Sequence, residues 1–119
     1  MPKNSKKFGE HYLVEFIDCN AQKLKRVKDV KTVLLQAAVK SRSTIIKSIF
    51  HQFSPAGVSG AILIAESHFT IHTWPEHQYA SFDLQTCGDM KPLVAIHILK
   101  KRLQAKKVVI RVVPRGNGT

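Results

Sequence analysis

Residues 58–66, VSGAILIAE, carry apolar side chains at both parities of an extended chain. Successive side chains of a strand point to opposite faces, so both faces of this one are predicted to be buried. Only two stretches of the chain have helical periodicity, and two helices cover one face of a small sheet. The other face is therefore predicted to meet a second copy, sheet to sheet. The patterning predicts an α+β two-layer sandwich: a mostly antiparallel sheet, two helices on one face, and a dimer through the other.

The remaining segments fit that frame. EHYLVEFI, 10–17, alternates Tyr12, Val14 and Phe16 against Leu13, Glu15 and Ile17, a strand pattern. From Ala21 to Lys40, Leu24, Val27, Val30, Leu34, Leu35 and Ala38 recur at helical spacing, with Asn20 as the expected N-cap. STIIKSIFHQF, 43–53, is a β-branched strand, and SPAG, 54–57, a turn. HFTIHTW, 68–74, sets Phe69 and Ile71 on one face and His68, Thr70, His72 and Trp74 on the other, until Pro75 breaks it. YASFDLQTC, 79–87, reads as a strand, 91–105 as a second amphipathic helix and KVVIRVV, 107–113, as a last strand, with RGNGT loose behind it. There is no linker or repeat, so residues 1–119 read as one domain.

Nineteen Lys and Arg against eight Asp and Glu give +11, which raises a nucleic-acid-binding module as an alternative. The charges are spread over predicted helices, however, with no interleaved aromatics for stacking on bases, and a solvated helix face accounts for them. No nucleic-acid partner is expected. No apolar run approaches a membrane span, and MPKNSKKFGEHY lacks the apolar stretch of a signal peptide, so no membrane partner is expected either. Cys19 and Cys87 stand far apart and outside any CxxC spacing, which predicts a reducing, cytoplasmic setting.

The chemistry concentrates in AESHFTIHTWPE, 65–76. Its histidines can simply border solvent. A metal reading can recruit His68, His72, His77 and Cys87, but their spacing matches no structural zinc pattern, and no metal is expected. A nucleophile reading pairs Ser67 or Cys87 with a histidine, yet GxSxG is absent and no partner acid is obvious. A fourth reading treats Glu66-Ser67 as a bond to be broken. The Ser67 hydroxyl attacks the preceding carbonyl, a base removes the serine Cα proton, and β-elimination releases the upstream chain. The dehydroalanine left behind loses ammonia and becomes a pyruvoyl group, which can form a Schiff base with a substrate amine and act as an electron sink. His72, Ser59 and Cys87 supply the types of base, polar group and proton donor required. Spacing alone leaves these readings open.

FSPAGVSG (Phe53 to Gly60), ESHFTIHTWPE (Glu66 to Glu76) and DLQTCG (Asp83 to Gly88), with the opening GEHYLVEFIDC, closely resemble prokaryotic S-adenosylmethionine decarboxylase over about 9–109. The resemblance implies self-cleavage between Glu66 and Ser67 into a β chain, 1–66, and an α chain, 67–119, with Ser67 becoming the pyruvoyl cofactor and neither a metal nor pyridoxal phosphate needed. It implies His72 as the proton acceptor in processing, Ser59 as its assistant and Cys87 as the donor that protonates the α-carbon after CO2 leaves. It implies Glu76 on the ribose hydroxyls and Phe53 stacked on adenine, in a homodimer of αββα layering with sites at the interface. The implied reaction turns S-adenosylmethionine into an aminopropyl donor for spermidine synthesis. Some homologues take arginine or ornithine instead, which is the alternative substrate class. The chain departs from the family at Arg42, where members commonly have glycine, and at HQYAS, where a YGYAA-like run is usual, placing Gln78 and Ser81 near the site in unusual form.

Overall fold

The computed structural model describes residues 8–65, 67–86 and 89–116. Six strands form one sheet: β1 (Gly9–Ile17), β2 (Ile45–Gln52), β3 (Val58–Ile64), β4 (Ser67–Trp74), β5 (Tyr79–Thr86) and β6 (Lys107–Arg115). Their spatial order is β2-β3-β4-β5-β1-β6, and every neighbouring pair is antiparallel. Two helices, α1 (Val27–Lys40) and α2 (Pro92–Leu103), accompany it. β6 extends two residues beyond the predicted end, because Pro114 and Arg115 stay in register with Glu10 and Gly9.

One parity of each central strand faces the helices. Val58, Ile62 and Ile64 of β3, Phe69 and Ile71 of β4 and Phe82 and Leu84 of β5 are buried with Phe16, Leu34, Leu99 and Leu103. Phe82 meets Phe69 edge-on at 5.6 Å between ring centroids, a favoured aromatic geometry. Gly60 lies on this face beneath the Phe50 ring, where an added Cβ would come within 2.3 Å of ring carbons. The opposite parity of β3 is not buried within one chain: Leu63 is 52% exposed. The doubly apolar strand thus has one face in the core and one on an open sheet surface.

The predicted helix over 21–40 is interrupted. Residues Ala21–Leu24 form a 3-10 turn capped by Asn20, whose side chain accepts from the Gln22 amide at 3.0 Å, and α1 starts afresh at Val27. Tertiary contacts explain the break. The Leu24 carbonyl accepts from Thr73 Oγ1 at 2.8 Å, and the Lys25 carbonyl accepts from the Gly57 amide at 3.0 Å and Gln52 Nε2 at 2.8 Å. Gln52 Oε1 in turn accepts from the Val27 amide at 2.7 Å, doing for α1 what its own N-cap residue, Arg26, does not. These contacts join the start of α1 to the loop after β2 and the end of β4.

Candidate active site

The helix-free sheet face carries the polar parity. On β3 and β4, Ser59 stands directly across from His72, and Ser59 Oγ is 2.7 Å from His72 Nδ1. Either atom can donate. When Nδ1 carries the proton, Nε2 presents its lone pair as a base.

The pair opens into a pocket of about 280 Å³ that also contains Phe53, Trp74 and Glu76. Phe53 is held by its amide, which donates to the Gly57 carbonyl at 2.8 Å, and Gly57 adopts a φ of 111°, a backbone conformation that side chains resist. The Phe53 ring meets His51 edge-on at 4.6 Å. Glu76 sits in the turn Pro75–His77, where Pro75 stops β4. Of the residues singled out in the sequence, Ser59, His72, Phe53 and Glu76 therefore come together. Trp74, 6.3 Å from His72 and 5.5 Å from Tyr79 between ring centroids, belongs with them. It was legible only as a member of the polar parity of 68–74.

Ser67 lies elsewhere. It opens β4 opposite Ile64, on the helix-facing parity, and its Oγ is buried with no hydrogen-bond partner among the described residues. Five positions along an extended strand separate Ser67 from His72 by about 16 Å. Glu66 and Cys87 lie outside the described residues. Gln85, two positions before Cys87, pairs with His68, the neighbour of Ser67.

The open face holds a second cluster. Asp83 Oδ2 is 2.6 Å from His11 Nε2 and 3.1 Å from His68 Nε2, and Asp83 Oδ1 accepts from the Thr70 hydroxyl. The ligand atoms of His11, His68 and Asp83 lie within 4.8 Å of one another, a spacing that a cation could bridge. The tautomer opposes that use. A metal on His11 Nε2 requires the proton on Nδ1, but Nδ1 faces Arg115 Nη1, a donor, at 3.0 Å. Hydrogen bonding explains the cluster: Nε2–H of His11 donates to Asp83 and Nδ1 accepts from Arg115. His72 and His77, recruited with His68 in the metal reading, are not in this group; His72 pairs with Ser59.

Nearby, Tyr79 donates to Glu15 Oε1 at 3.2 Å. Burial pushes the phenol pKa up, reinforced by the Glu15 hydrogen bond and charge. Cys19 is buried in the core; burial, with the neighbouring Asp18 charge, pushes its thiol up to about 11.

The sequence profile of S-adenosylmethionine decarboxylase matches residues 10–116. The chain belongs to that family. An S-adenosylmethionine decarboxylase proenzyme of Thermotoga maritima is 47% identical over 93% of this chain and 86% of its own length. The proenzyme of Pseudomonas aeruginosa is 41% identical over 92% and 69%. The crystal structure of the adenosylmethionine decarboxylase from Aquifex aeolicus superposes with a TM-score of 0.87 at 38% identity, covering 93% of this chain and 92% of that one.

Two departures from the resemblance fall on positive-φ positions. Arg42 and Gln78 have φ of 69° and 51°, left-handed conformations that suit the glycine the resemblance implies there. Gln78 offsets part of that cost by donating from Nε2 to the Cys19 carbonyl at 3.0 Å. Its side chain is thereby tied to the end of β1. Ser81 does face the site, in register with His72.

Proposed function

We infer that this chain is a self-processing, pyruvoyl-dependent decarboxylase that converts S-adenosylmethionine to CO2 and an aminopropyl donor for polyamine synthesis. The observation that carries the inference is the Ser59–His72 hydrogen bond at the mouth of the pocket containing Phe53 and Glu76. The family relatives, named as decarboxylase proenzymes of this substrate, support it.

Ser67 suits conversion to the cofactor, because among the described residues its hydroxyl has no hydrogen bond to give up before attacking the Glu66 carbonyl. In processing, His72 takes the Cα proton and Ser59 assists the ester step at the developing oxyanion. The ketone of a pyruvoyl group condenses with a substrate amine and accepts the electron pair that decarboxylation leaves. Around it, Phe53 stacks on adenine, the Glu76 carboxylate accepts from the ribose hydroxyls, and Cys87 returns a proton to the α-carbon. The chain ends as a β fragment, 1–66, and an α fragment, 67–119.

Within one protomer about 16 Å of extended strand separates His72 from Ser67, too far for direct proton transfer. A complete site therefore draws the base from a second copy, and the reading includes a homodimer through the open face. That face carries Leu13, Leu63, Val113 and Ile49, the last 73% exposed, which sheet-to-sheet packing would cover. No helix among the described residues is long and apolar enough to cross a membrane. A reducing cytoplasm, in keeping with the free buried thiol of Cys19, completes the proposal. The test is release of labelled CO2 from carboxyl-labelled S-adenosylmethionine, arginine and ornithine, each offered separately. Release from S-adenosylmethionine alone supports the reading; release only from another amino acid replaces the substrate.

A further inference from the structure

Cleavage before Ser67 would remove the covalent link between β3 and β4 and turn the first residue of a central strand into a chain end. New chain ends fray unless tied down. Ser67 offers no side-chain tie to any described residue, since its hydroxyl has no partner among them. The first side chain of β4 with a partner is His68, and that partner is Asp83.

We propose that Asp83 is a positioning residue, a clamp that keeps the start of β4 in place once the chain has been cut. The inference rests on the processing reading above. Its two carboxylate oxygens hold β4 at two points on one face, Oδ2 to His68 Nε2 at 3.1 Å and Oδ1 to the Thr70 hydroxyl. The register makes this possible: Thr70 is directly across from Asp83, and His68 is two pairs further toward the cut, on the same face. The carboxylate is itself anchored from the other side. His11 on β1 donates to Oδ2 at 2.6 Å, and Arg115 on β6 donates to His11 Nδ1 at 3.0 Å. One acid thus joins β4, β5, β1 and β6. Three donors converge on it, so its oxygens are hydrogen-bonded without a metal. Because His68 supplies the nitrogen to which residue 67 is bonded, fixing the His68 ring also fixes the orientation of whatever residue 67 becomes.

The clamp has a consequence that general stabilisation lacks: it matters after cleavage. Before it, the β3–β4 connection holds Ser67 against Ile64. Asp83→Ala and Asp83→Asn are therefore expected to cut to completion at a rate within about threefold of wild type. After cutting, the amides of Phe69 and Ile71 should exchange roughly tenfold faster than in the wild type. In the uncut Ser67→Ala background the same Asp83 substitution should leave their exchange unchanged. Turnover per cut chain should fall on the order of 10²-fold, as misplacement of a reacting group by about an ångström costs, with KM little altered because Phe53 and Glu76 are untouched. A cut Asp83→Ala protein with wild-type exchange and wild-type turnover overturns the clamp. So does a folded Asp83→Ala protein that cannot cut, or one whose amides loosen equally in the uncut background. Wild-type protein is run beside it; its own failure to cut would refute the processing reading, separately from any Asp83 result.

Discussion

Ser59 and His72, thirteen residues apart, face each other in register on β3 and β4 with 2.7 Å between Oγ and Nδ1. A hydroxyl and an imidazole in that contact can pass a proton between them, which is what the proposed processing step requires. His72→Ala is expected to leave the chain uncut and folded. Ser59→Ala should slow cutting by about 10²-fold, the lower end of what a positioned proton-transfer group supplies. Time-resolved intact-mass spectrometry reads both, and wild-type cutting by His72→Ala would remove the histidine from the processing step.

The distance between Ser67 and His72 makes a second outcome expected. His72→Ala retains the cleavable serine, and Ser67→Ala retains the base, yet neither alone should cut. Co-expressed, they should form mixed dimers in which the base of one copy meets the serine of the other, so that the His72→Ala chain alone is cut. Mixed dimers that stay intact would place the base within the same chain.

Much of this was legible in the sequence, and what was not has a physical cause. The alternation of 68–74 gave β4 and the correct face for each side chain, because a half-buried strand writes its burial with period two. The break at Lys25–Arg26 was invisible: apolar spacing runs through it, and the groups that take the carbonyls, Thr73, Gln52 and Gly57, are remote in sequence. The Asp83 cluster was hidden for the same reason. Asp83 stood in the sequence only as a member of the strand 79–87 and of DLQTCG, its partner His11 is 72 positions away, and only strand register brings them together. The doubly apolar pattern of β3 implied two covered faces, and a single chain covers one of them.

Cys87 has two possible roles that differ in outcome. As a packed thiol, its replacement by alanine costs some stability and leaves turnover intact. As proton donor, Cys87→Ala should lower turnover by about 10²–10⁴-fold. The carbanion should then sometimes take its proton on the carbon derived from Ser67, which after hydrolysis releases an aldehyde and leaves an alanine-ended, inactive α chain. Weighing the α chain during incubation with S-adenosylmethionine follows that conversion. An unchanged mass with wild-type turnover would leave Cys87 a packing residue.

Cys19 predicts a pH dependence of stability. Its thiol titrates near 9.0 in the unfolded chain and at about 11 in the fold, chiefly because it is buried. Between those values the unfolded state has lost its proton while the folded state keeps it, so stability falls as pH rises. The stability difference between wild type and Cys19→Ala should be constant below pH 8 and shrink between pH 9 and 11. Denaturant melts across that range measure it; a difference that grows with pH would reverse the assignment.

The central claim is that the chain cuts itself between Glu66 and Ser67 and carries its cofactor at the new end. Purified wild-type protein, incubated alone and weighed under denaturing conditions, tests it most directly. The account predicts two masses, fragment 1–66 with an ordinary carboxylate and fragment 67–119 with a ketone in place of its terminal amine, hence refractory to Edman degradation, while Ser67→Ala stays whole. A wild-type chain that remains one piece of 119 residues after prolonged incubation would contradict it.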